Sequence, residues 1–64
     1  MINVSIQRGF GTLAERKKFK MLALPSPGDR IILKWKPSFN PVSYDVLRVE
    51  HNLVTNKIVI ILTN

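Results

Sequence analysis

Between residues 19 and 36 apolar and basic side chains alternate, and the alternation is interrupted once, by Pro25-Ser26-Pro27-Gly28-Asp29. Phe19, Met21 and Ala23 stand against Lys18 and Lys20; Ile31, Leu33 and Trp35 stand against Arg30, Lys34 and Lys36. Successive strand residues point to opposite faces, so a period of two places an apolar stripe on one side and a basic stripe on the other. Proline has no N–H to give to a ladder, so both runs must stop at the turn. Folded as a hairpin, the runs set Phe19 opposite Trp35, Met21 opposite Leu33 and Ala23 opposite Ile31. That register also sets Lys18 beside Lys36 and Lys20 beside Lys34. Like charges directly opposite repel, so either the two runs pair in another register or the stripe is kept for an anion that offsets the repulsion.

The same period recurs at both ends of the chain. Ile2, Val4 and Ile6 alternate with Asn3, Ser5 and Gln7, which predicts a half-buried strand over 2–7. Gly9 and Gly11 mark a turn after it, without the residues of a phosphate-binding loop. Thr12 and Glu15 have the spacing of a capping box, but lysines at 17 and 20 break the helical stripe; one helical turn or a basic loop is expected over 12–17. Residues 36–43 form a proline-flanked loop with Phe39 at its tip. Tyr44–Val54 and Lys57–Thr63 read as a hairpin turning at Thr55-Asn56. In it, Leu47, Val49, His51 and Leu53 share a core face with Ile58, Ile60 and Leu62, and His51 reads as a structural histidine. Tyr44, Val46, Val59 and Ile61 are the apolar members of the opposite face, which implies a second packed layer or an interface.

Sixty-four residues make one domain, 1–64, with a small core. Without cysteine there is no disulfide or thiolate metal site, and a single histidine makes no zinc site. No cofactor and no metal are expected; a partner or homo-oligomerisation is a reasonable stabiliser for so small a chain. The longest apolar run, Ile58 to Leu62, is far short of a membrane span, and the first residues lack the pattern of a signal peptide. A soluble, cytoplasmic protein with no membrane partner is expected. The net charge of +6 is unevenly placed: residues 1–37 carry eight basic and two acidic side chains, while the remainder is neutral. Such asymmetry points to an anionic partner, nucleic acid, an acidic protein surface or a membrane surface, and the last also needs an amphipathic helix whose apolar face residues 12–20 lack.

Five strands follow, near 2–7, 18–24, 30–36, 44–53 and 57–63, and predict an all-β, five-stranded antiparallel small barrel. Pro27-Gly28-Asp29-Arg30-Ile31 and the run Tyr44-Asp45-Val46-Leu47-Arg48-Val49-Glu50-His51, followed by Ile58 to Leu62, resemble the turn, strand entry and closing hairpin of SH3-like small barrels. The resemblance covers about 28–63. It implies the barrel fold, common in short proteins of bacteria and their viruses, and no particular function.

Two functions compete. A nucleic-acid-associated module would use Arg16, Lys17, Lys18, Lys20, Arg30, Lys34 and Lys36 on phosphates, with Trp35, Phe39 or Tyr44 stacking on bases; Trp35 on the core face counts against its stacking. The alternative is a protein-binding module, of viral or accessory type, that docks on a larger complex through Tyr44, Val46, Val59, Ile61 or the Phe39 loop. Four carboxylates, one histidine and no cysteine leave few catalytic constellations, so an enzyme is not expected.

Overall fold

The computed structural model describes residues 1–63. Its strands are β1 (Ile2–Arg8), β2 (Glu15–Met21), β3 (Arg30–Leu33), β4 (Val42–Asn52) and β5 (Lys57–Leu62). They form one sheet in the order β2-β1-β5-β4-β3. The sheet curls into a half-barrel around Val4, Ile6, Trp35, Val46, Ile60 and Leu62. Among the described residues, no helix is long and apolar enough to cross a membrane.

The strands lie close to where period-two alternation places them, but their pairing differs from the expected antiparallel barrel. The sheet is mixed: β1 runs parallel to β5, with Ser5 beside Val59, Ile6 beside Ile60 and Gln7 beside Ile61. The expected hairpin between β2 and β3 is absent. β2 instead pairs antiparallel with β1, from Ile2–Met21 to Arg8–Glu15, and β3 pairs with β4. Lys18 therefore faces Ser5 and Lys20 faces Asn3, which removes the lysine–lysine pairs of the expected register. The turn between β1 and β2 decides this. It is a 3-10 turn over Gly11–Leu13, with Gly9 and Gly11 at positive φ, and Glu15–Lys17 are already extended, so the expected helical turn over 12–17 shrinks to three residues. Its N-cap is Phe10, with no side-chain capping bond, so Thr12 and Glu15 form no capping box.

Pro25–Asp29 is a tight turn as expected, but it carries the chain from one edge of the sheet to the other. The Asp29 amide donates to the Ser26 carbonyl (3.0 Å), and the Ser26 amide donates to Asp29 Oδ2 (2.7 Å). The Gly28 amide donates to the Val46 carbonyl and the Val46 amide donates to the Asp29 carbonyl, both at 2.8 Å. That clamp coincides with a bulge in β4: Val46 pairs with Leu62 and Arg48 with Ile61, leaving Leu47 unpaired.

The bulge inverts the faces of β4 on the side before it, through Val46, and leaves Val49 facing the core as expected. An extra residue shifts the alternation by one, so Val46 turns into the core at 2% exposure while Leu47 is 41% exposed. Tyr44 also packs against the core. The β4–β5 turn is longer than expected: Asn52 pairs with Lys57, and the Asn52 side chain accepts from the amides of Val54 and Thr55. Leu53 lies in that turn, and His51, one pair from the end of the ladder, is exposed rather than structural.

The two free edges, β2 and β3, are brought together by side chains. Trp35, just past β3, is 4% exposed. Its indole Nε1 donates to Glu15 Oε2 (3.1 Å), its ring lies 6.0 Å from that of Phe19, and its carbonyl accepts from Lys17 Nζ. The Arg8 guanidinium sits 4.6 Å from the Trp35 ring and also donates to the Tyr44 hydroxyl. The expected contact of Phe19 with Trp35 is thus made, across the mouth of the half-barrel rather than along a ladder.

The bulge sets a direct test. Val46→Ala is expected to cost about 2 kcal/mol, and Leu47→Ala less than about 1 kcal/mol, in urea unfolding. Uninterrupted alternation predicts the reverse order.

Candidate nucleic-acid interface

Alternation along β2 sends Lys17, Phe19 and Met21 inward, half-buried, and Arg16, Lys18 and Lys20 outward, exposed. The antiparallel register sets Gln7, Ser5 and Asn3 of β1 directly beside these three bases, on the same outer face. One strand further, the parallel register sets Val59 beside Ser5 and Ile61 beside Gln7. Lys57 precedes Val59 by two residues and so points to that face as well. The outer face therefore has three lanes: basic on β2, neutral and hydrogen-bonding on β1, and on β5 half-buried Val59 next to exposed Lys57, with Ile61 at the far end covered.

At the end where β1 and β5 begin, Asn3, Ser5, Lys18, Lys20, Asn56 and Lys57 line a groove of about 520 Å³, with Val4, Phe19 and Ile58 completing its wall. Among the described residues, no carboxylate lines it. Asp45 and Glu50 pair with Arg30 (3.2 Å) and Arg48 (2.8 Å), Glu15 with Arg8 (3.5 Å), and Asp29 holds its own turn. Among the described residues, Lys18, Lys20 and Lys57 have no acidic partner within salt-bridge distance. Three ammonium groups around one opening raise each other's energy, and an anion placed among them lowers it. Arg16 flanks the groove, held along the sheet by a 2.8 Å hydrogen bond from its Nε to Gln7 Oε1.

A lysine-rich edge strand has another use, because charge keeps a free edge from pairing with other chains. That would account for Lys18 and Lys20 on β2. It does not account for Lys57, which lies on the central strand.

The remaining basic candidates are dispersed. Lys17 faces inward, tied to the Trp35 carbonyl. Arg30 is bound to Asp45 at the opposite edge of the sheet. Lys34 and Lys36 are exposed on either side of Trp35, and the Lys36 ammonium lies 5.5 Å from the Phe39 ring. Of the candidate stacking aromatics, Trp35 is buried, Tyr44 is half-buried and Phe39 is exposed. The apolar face proposed for a protein partner is not assembled: Val46 and Ile61 are each 2% exposed, Tyr44 and Val59 are half-buried, and Phe39 sits in a separate loop. No group of three or more His, Cys, Asp or Glu side chains comes together among the described residues to hold a metal ion.

Asn3, Ser5, Asn56 and Lys57 join the groove although none stands out in the sequence. Lys57 falls in the electrically neutral half of the chain, and only the parallel pairing of β1 with β5 brings it to Lys18 and Lys20. No family model matches this chain, and no curated protein or solved structure matches it.

The groove predicts an anion-dependent melting temperature. Tripolyphosphate is expected to raise the midpoint by about 5 °C at saturating concentration, and the Lys18→Ser/Lys20→Ser/Lys57→Ser variant should lose most of that rise in the same thermal scan.

Proposed function

We propose that this chain is a non-enzymatic binding module that associates with nucleic acid through the outer face of β1, β2 and β5. The observation that carries the proposal is the convergence of Lys57 with Lys18 and Lys20 on one groove free of carboxylates, beside Arg16. Four cations on one face suit a polyanion better than a lone small anion, because each phosphate neutralised releases condensed counterions. The neighbouring lane of amide and hydroxyl groups suits sugar and base contacts, which phosphate recognition alone does not need. A protein-docking role loses its strongest support with the burial of Val46 and Ile61. The basic set is revised accordingly: Arg16, Lys18, Lys20 and Lys57 form the contact surface, while Lys17 and Arg30 serve the fold.

The test is fluorescence anisotropy of labelled oligonucleotides over a range of salt. Log K is expected to fall with log salt at a slope of about −3, as for four phosphates contacted. Lys18→Ser/Lys20→Ser/Lys57→Ser should flatten the slope by about 2, whereas Lys34→Ser/Lys36→Ser should change it by less than about 0.5. Equal effects of the two variants would mean diffuse attraction by net charge and would sink the proposal.

A further inference from the structure

We infer that the polynucleotide held on this face is single-stranded and lies along β2, with its bases turned across β1. The inference rests on the reading just given and concerns which nucleic acid the face takes.

The first support is spacing. Arg16, Lys18 and Lys20 occupy alternate positions of one strand, so they step by about 6.6–6.8 Å. That step is close to the phosphate repeat of an extended polynucleotide. A strand following β2 can thus set successive phosphates on successive cations. Lys57, at the groove end, takes a further phosphate or the strand terminus.

The second support is what lies beside the phosphates. Asn3 and Ser5 are the cross-strand partners of Lys20 and Lys18. Their side chains make no hydrogen bond among the described residues, whereas Gln7 is engaged by Arg16. Asn carries both donors and an acceptor, and Ser is both donor and acceptor, so either can meet the edge of an unpaired base. Beyond Ser5 lies half-buried Val59, an apolar surface for the flat side of that base.

The third support is that a duplex cannot use this lane. Base edges of B-DNA are reached through a major groove about 12 Å wide, which admits a two-stranded ribbon. Here β1 is not part of a free ribbon, since β5 and then β4 continue the same sheet. Strands are about 4.8 Å apart, so the four span about 14 Å between outer strand axes before side chains are added. A duplex would therefore meet the phosphate lane alone and leave Asn3 and Ser5 without partners. Phe19 and Trp35 turn toward the core, so base contacts on this face are hydrogen bonds and aliphatic packing rather than ring stacking.

Anisotropy with a labelled oligo-dT strand, a duplex of the same length and competing inorganic polyphosphate tests this at near-physiological salt. The single strand is expected to bind at least about tenfold more tightly than the duplex, and Ser5→Ala and Asn3→Ala should each weaken it about fivefold without changing polyphosphate affinity. A melting scan confirms that each variant is folded; Asn3 is exposed, so its variant carries the test should Ser5→Ala unfold. Duplex bound as tightly as the strand, polyphosphate competing as well as the strand, or unchanged affinity in the Asn3 variant each overturns the inference and leaves the phosphate-binding reading intact. Failure of all three probes to bind, or binding indifferent to loss of Lys18, Lys20 and Lys57, overturns both.

Discussion

Trp35 holds the structure closed. The sheet has two free edges, and the core between them would lie open on one side without a bridge. The indole supplies it: an N–H bond to Glu15, contact with the Phe19 ring and the Arg8 guanidinium over its face all reach strands β1 and β2 from a residue just past β3. Burying a tryptophan is worth several kcal/mol, and a cation over its ring adds about 0.5–2 kcal/mol. Closure by side chains rather than by a ladder has a cost in regularity, since β2 keeps an unpaired edge. It also divides the strand by face. Glu15, Lys17 and Phe19 work inward on Trp35, while Arg16, Lys18 and Lys20 are left to the solvent.

The distribution of acids completes the division. With four carboxylates in the chain, three could have neutralised the three lysines of the groove. All four are engaged elsewhere: Glu15 under Trp35 and beside Arg8, Asp29 in its own turn, Asp45 on Arg30, Glu50 on Arg48. The exposed pairs add little stability. Their effect on the field is larger, because pairing with other bases leaves Arg16, Lys18, Lys20 and Lys57 uncancelled on the outer face.

Strand positions were legible in the sequence because they follow from local periodicity. Val4, Ile6, Trp35, Ile60 and Leu62 sit in the core on the strength of alternation alone, and the Pro25–Asp29 turn forms where its residues demand one. Pairing was not legible. Whether Phe19–Met21 partners the strand before it or the one after it depends on turn geometry and on lysine repulsion, and an equally well-patterned neighbour lay on each side. The bulge at Leu47 is the clearest local failure: one unpaired residue exchanges the faces of Tyr44 and Val46, and with them the supposed docking surface. For the site, the outward orientation of Lys18 and Lys20 could be read directly. Lys57, Asn3 and Ser5 could not, because their proximity exists only through the parallel pairing of the first and last strands.

That pairing has a kinetic consequence. β5 is the last strand in sequence and occupies the middle of the sheet, bonded to β1 on one side and β4 on the other. The β1–β2 hairpin can form from neighbours in the chain, whereas joining it to β5 closes a loop of some fifty residues, the slow, high-contact-order kind of step. Until that closure, Lys57 is remote from Lys18 and Lys20, and the chain carries its full charge with no groove to concentrate it. The groove is thus a late-forming feature, acquired with the final non-local contact of folding rather than with the appearance of its strands.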